Sequence, residues 1–110
     1  MKHSHVTTTL QLPNKQVVES FGVVRGITVR SRSIVGNFVG GIQSLFGGNI
    51  TIYTDLCEQA RTEAYQLMCQ HADSLGANAI IGMHYDATEV MPGLTEVLCY
   101  GTAVFVKDAD

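Results

Sequence analysis

His84 and Asp86 stand two residues apart at the end of the run GANAIIGMHYD, residues 76–86. On a strand, side chains at that spacing project from one face. With the following turn centred on Pro92 and Gly93, Cys99 on the return strand lies opposite Asp86 and diagonal to His84, within side-chain reach. Imidazole, carboxylate and thiol together suit zinc or another transition metal, so His84, Asp86 and Cys99 form the candidate metal set. The set depends on the hairpin register, because a slip of one residue sends Cys99 to the other face. The plainer reading of the same residues is a polar strand end beside a core thiol.

Other residues invite weaker readings. His3-x-His5 could chelate a metal from an extended terminus, although chain ends are usually poorly ordered. His71 falls within an apolar helical stripe, where a packed histidine bonded to a backbone carbonyl, or one lining a subunit contact, is commoner than a catalyst. Cys57 sits near a predicted helix N-terminus, whose dipole lowers a thiol pKa, but it has no histidine or second cysteine at helix-neighbour spacing. Cys69 is placed on the polar side of the same helix. Arg25, Arg30, Arg32 and Arg61 would make a ring of positive charge if an oligomer gathered copies; the alternative is ordinary pairing, Arg61 with helix carboxylates and Arg30 with a neighbouring strand. No P-loop, GxSxG elbow, HExxH or dinucleotide fingerprint occurs, and no nucleophile–base pair can be assigned, so the sequence points to no enzyme.

These residues are positioned by a short series of elements. Val6 to Leu12 alternates weakly and ends at Pro13-Asn14, which predicts a short edge strand. Gln16 to Arg30 is rich in β-branched residues and broken by Gly22 and Gly26, which predicts two strands or one strongly bent strand. Ile34, Phe38, Ile42, Leu45 and Phe46 recur at helical spacing between Ser33 and Gly47-Gly48, which predicts a short Gly-rich helix, the alternative being a Gly-rich loop. The clearest element is a long helix capped by Thr54 and stopped by Gly76, with Leu56, Ala60, Ala64, Leu67, His71 and Leu75 in one stripe and Cys57 and Met68 at its edge. Two strands follow, residues 78–90 and 95–106. In the first, Ala79, Ile81, Met83, Tyr85 and Ala87 are assigned to one face and Ile80, Gly82, His84, Asp86 and Thr88 to the other. The order β-β-α-α-β-β predicts an α+β fold, a curved antiparallel sheet with the long helix packed on it.

At 110 residues this is one domain, residues 1–110. Hydrophobic residues make up 45% and charged residues 15%, against a usual charged fraction of roughly 25%. So little charge favours burial between subunits. A net charge of -3 without a basic block argues against a nucleic-acid partner. The longest apolar stretch, residues 34–48, is shorter than the roughly 20 residues a membrane-spanning helix needs, and it holds five glycines. Three cysteines without CxxC spacing, and an N-terminus without an apolar signal region, lead to the expectation of a cytoplasmic protein with no membrane role.

The chain also resembles the YbjQ-like family, whose usual label names heavy-metal binding. The resemblance is carried by Gly47-Gly48 with Tyr53, by Ala60-Arg61 and Ala64, by the run from Gly76 to Gly82, and by Glu96 to Val104. Gly22-Val23-Val24-Arg25-Gly26 and Arg30-Ser31-Arg32 extend it over nearly the whole chain. It implies a dodecin-like α+β subunit in a ring-shaped homo-oligomer, most often a pentamer. One common version of the family carries two acidic residues at the positions of His84 and Asp86, whereas the first is a histidine in this chain. The expected function is therefore a cytosolic homo-oligomer that binds a metal ion or small ligand without catalysis; the alternative is a scaffold or stress-related interaction protein with no small ligand.

Overall fold

The computed structural model describes residues 1–2, 5–31 and 50–109. The Gly-rich helix expected between Ser33 and Phe46 lies outside the described residues, as do His3 and Arg32. The β-branched run is a single strand, β1, Lys15–Ser31, which resolves the two alternatives in favour of one bent strand. A long helix, α1, Ile50–Ser74, follows, then β2, Ala79–Met91, and β3, Leu94–Asp108. The three strands form one antiparallel sheet in the order β1-β3-β2. The α+β architecture expected from the sequence is the one observed.

Both outer strands carry extra residues relative to the central strand. The β1 register against β3 shifts between Val17 and Glu19 and again between Ser20 and Gly22. The β2 register shifts between Ile81 and His84 and between Glu89 and Met91. An unpaired extra residue bends its strand and increases the local twist, so bulges on both sides of β3 curl the sheet. Gly22 and Gly82, with φ of 88° and 62°, stand at two of these irregularities and pair near the same stretch of β3. A residue with a Cβ adopts that left-handed conformation only at a cost, which explains why glycine occurs at both.

Helix α1 lies across β1 and β3 and leaves β2 largely uncovered. Its buried residues are Ala60, Ala64, Met68 and Ala72, with Cys69 beside them, packed on Val24, Val97, Cys99 and Ala103. The stripe is thus turned by about one residue from the expected one. Leu67 and Leu75, assigned to the core, are 42% and 41% exposed, while Cys69, assigned to the polar side, is buried. The reason is the closeness of the packing at Gly26, where a Cβ would lie 1.9 Å from the Ala64 carbonyl oxygen and 2.6 Å from the Met68 nitrogen. Only the small faces of alanines fit such an approach. The helix also begins at Ile50, one turn before Thr54, so Thr54 is not its cap. The first turn is rich in β-branched residues of weak helix propensity, which hid it in the sequence.

The C-terminal stop is as expected. Gly76, at φ 87°, donates its N–H to Asp73, and Ala77 donates to Ala72, which is the bond pair of a Schellman motif. Asn78 then continues the sheet with its side chain: Nδ2 donates to the Val106 carbonyl at 2.9 Å and Oδ1 accepts from the Val106 N–H at 2.8 Å. Asn78→Ala should remove both bonds and lower stability by about 1–3 kcal/mol in urea titration, with Asn78→Asp losing only the donor half.

The segment before β1 does not form the edge strand expected over Val6 to Leu12. A single parallel bridge joins Val6 to Ile80, and Thr7 and Thr9 exchange backbone bonds with Ile80, Gly82 and Met83. The irregularity at Gly82 interrupts the regular alternation of donors and acceptors along the β2 edge, so no continuous ladder forms there. Leu12 instead covers Ala79, Val104 and Val106 on the sheet face away from the helix.

Candidate functional site

The register of β2 against β3 decides whether the candidate metal set assembles. Met91 pairs with Leu94 across the Pro92-Gly93 turn, as expected, but the pairing then shifts and Glu89 faces Thr95. From there Asp86 is opposite Leu98, Tyr85 opposite Cys99 and His84 opposite Tyr100. The extra residue is Val90, and it produces the one-residue slip on which the set depended. Cys99 faces the helix, whereas His84 and Asp86 face the other side. The trio His84, Asp86 and Cys99 therefore does not meet, and among the described residues no group of three His, Cys, Asp or Glu side chains converges. The face assignment along β2 is corrected by the same physics: the shift at Gly82 puts Ile80 and Tyr85 on the helix side although they are five residues apart.

On the outer face, cross-strand rows can be read from the register. Arg25, Tyr100 and His84 form one row, Ile27, Leu98 and Asp86 the next, and Val29, Glu96 and Thr88 a third. The His84 ring stacks on Tyr100 with centroids 5.9 Å apart. Its Nδ1 lies 2.9 Å from the Gly82 carbonyl oxygen, which can only accept, so Nδ1 donates in this bond and Nε2 is left outside it. That arrangement orients an imidazole as a ligand through Nε2. Val23 is 69% exposed beside this face, and Ile27 and Val29 are exposed within it.

The helix side holds a different cluster, which sequence reasoning did not assemble. Cys99 is fully buried, and its thiol donates to the Met68 sulfur at 3.6 Å. Burial pushes the Cys99 thiol up to about 11, with repulsion from Cys69 adding to it and a hydrogen bond from Tyr85 opposing it. Burial likewise raises the Cys69 thiol, against a hydrogen bond from Tyr65. Tyr65 is pushed up to about 12, first by burial and then by Cys69. Tyr85 is raised by burial and Cys99, and the Arg61 guanidinium, 5.1 Å over its ring, acts the other way. The signals that could have found this cluster were the Tyr65–Cys69 spacing of four on the helix and a stripe rotated onto Met68.

These shifts give a pH prediction. The Cys99 thiol ionises at an ordinary 9.0 in the unfolded chain and at about 11 in the folded one, so the folded state keeps a proton that the unfolded state has lost. A raised folded pKa means that the associated stability is complete below pH 9.0 and is lost as pH rises toward about 11, with Tyr65 prolonging the decline toward about 12. The urea midpoint should fall across that window, and Cys99→Val should flatten its earlier part.

The remaining candidates resolve individually. His71 is exposed, and its Nδ1 accepts from the Arg25 backbone N–H at 3.3 Å, tying the helix to the β1 edge rather than bonding a carbonyl. Cys57 is exposed and two turns inside α1, beyond the reach of the helix-end dipole. Arg30 pairs with Glu63 of the helix rather than with a strand, and Arg61 covers Tyr85 rather than a helix carboxylate. His5 of the former His3-x-His5 pair meets the Asn78 carbonyl at 3.1 Å.

Comparison with known proteins agrees with the fold. A family model described as "Putative heavy-metal-binding" matches residues 4–107. A "UPF0145 protein" of Chromobacterium violaceum is 75% identical over 99 residues, covering 90% of this chain and 85% of that protein. Another "UPF0145 protein", from Solibacter usitatus, is 60% identical over 107 residues, with 97% and 96% covered. The crystal structure of a protein of unknown function of the DUF74 family from Pediococcus pentosaceus superposes with a TM-score of 0.61 over 93% of this chain and 96% of that one. At 19% identity, that likeness concerns the fold alone.

Proposed function

The chain belongs to the YbjQ family, and from that premise we propose that it is a self-assembling binding protein of the cytosol, not an enzyme, whose assembled form carries a metal ion. The observation that supports assembly is the outer face of β1 and its outer edge, which pairs with no strand among the described residues. Val23, Ile27 and Val29 are exposed on a strand whose outer edge meets only His71 among the described residues of the helix. A long, apolar edge strand left open is a pairing and aggregation hazard that proteins usually cover. The sheet order β1-β3-β2 leaves unlike edges on its two sides, so a second copy can meet β1 with a different surface, which is the head-to-tail contact that closes rings. The low charge fraction agrees, and a ring of five is the form the family resemblance implies. No helix among the described residues is long and apolar enough to cross a membrane.

The reading is tested at Val23 and Ile27. Val23→Asp with Ile27→Asp should turn an assembly into folded monomers in size-exclusion chromatography with light scattering, because two carboxylates per copy would be buried unpaired. Retention of the wild-type mass by this variant would remove β1 from the interface.

A further inference from the structure

Within this metal-carrying reading, we propose that Cys99 and Met68, with Cys69 beside them, form a binding site for a soft monovalent metal ion of the copper(I) class. The inference rests on the family reading for metal binding and goes beyond it in naming the site and the kind of ion. The site is built by the fold. On the helix side, the row Gly26–Cys99–Tyr85 crosses the three strands. Because Gly26 has no side chain, α1 descends onto that row, and the residue it sets over Cys99 is Met68. The two sulfurs are 3.6 Å apart, and a metal about 2.3 Å from both would subtend about 103° at that separation, close to a tetrahedral angle.

The chemistry of the pocket selects the ion. Thiolate and thioether sulfur favour copper(I) over hard cations such as magnesium or calcium. Both sulfurs are fully buried, so a charged complex would be costly. When copper(I) replaces the Cys99 proton, which is released to water, the cation and the single thiolate sum to zero and the thioether adds none. A zinc ion with the same two donors would leave a buried positive charge. Cys69 follows Met68 on α1 and is buried in the same core cluster, which adds a second thiol to the surroundings of the pair. Access is from the β2 side, which α1 leaves largely uncovered and where Tyr85 is partly exposed with Arg61 over its ring.

The test is anaerobic titration of the reduced protein with copper(I) against bathocuproine disulfonate, with the mass of each sample read in parallel. Wild type should take one copper(I) per chain, with sulfur-to-copper absorption in the near ultraviolet. Met68→Leu, which conserves volume and should keep the wild-type circular dichroism and melting profile, should weaken binding at least tenfold. Cys99→Ala should abolish it, and Cys57→Ser and His84→Ala should bind as wild type. Wild-type affinity in folded Met68→Leu and Cys99→Ala would overturn the site, and a loss confined to His84→Ala would move it to the outer face while leaving the family reading intact. Absence of copper(I) from wild type would sink the site alone, and a wild type that also takes up no added zinc or nickel in the parallel mass measurement would sink the metal part of the function.

Discussion

Gly26→Ala is expected to be strongly destabilising. The added methyl would lie 1.9 Å from the Ala64 carbonyl oxygen, 2.6 Å from the Met68 nitrogen and 2.8 Å from the Leu67 Cβ. Two of these are helix backbone atoms, which cannot rotate away as the end of a flexible side chain could. The helix must lift from β1, opening the contacts of Ala60, Ala64 and Met68 with the sheet. Overpacking of this kind reaches about 3 kcal/mol or more, compared with total stabilities of roughly 5–15 kcal/mol for a domain. Urea unfolding should show the loss. Gly22→Ala is the control: nothing lies within 4 Å of its added methyl, so only the φ of +88° resists it, at about 1–2 kcal/mol. Similar losses for the two would mean that α1 does not sit as closely on β1 as the structure has it.

Ile80→Ala should follow closely. Ile80 is fully buried, and its Cγ2 occupies the space that a side chain on Gly101 would take, 2.6 Å from the position of a Cβ there. Removing it empties a volume bounded by backbone of β2 and β3, which cannot collapse freely, so a loss of about 2–5 kcal/mol is expected. Its carbonyl also receives the Thr7 N–H, so the segment before β1 should loosen with it, seen as faster hydrogen exchange at Thr7 and Met83. The pair is testable by coupling. Gly101→Ala alone should destabilise by overpacking, and in an Ile80→Ala background the same change should cost less. An additive result would show that the two positions do not share the space.

Much of the fold could be read from residue order. Gly76 as the helix stop, Pro92-Gly93 as the turn and the β-branched run of β1 each act through local backbone preference, which a sequence displays directly. The misreadings share a different origin. Val90 and the Gly82–Met83 step add single residues to β2, and each addition exchanges the two faces of everything beyond it. A bulge leaves almost no mark on a hydrophobic pattern, so residue spacing alone puts His84, Asp86 and Cys99 on one face, whereas the structure does not. The helix stripe is hard to read in the sequence because Leu67 and Leu75 outrank alanine in hydrophobicity. The contact at Gly26 selects for a small residue at Ala64, and the rotation that places it there carries Met68 and Cys69 inward as well. The sulfur cluster was therefore illegible until the rotation of the helix and the register of the hairpin were both known.

Assembly through β1 is the claim on which the functional reading stands, and its most direct test is the solution mass of the wild-type protein by sedimentation equilibrium at micromolar concentration. The wild-type protein should sediment as a single closed species whose mass is two or more times the 11.9 kDa of the chain, a whole-number multiple, and does not change on dilution. A folded species of 11.9 kDa throughout the concentration range would contradict it.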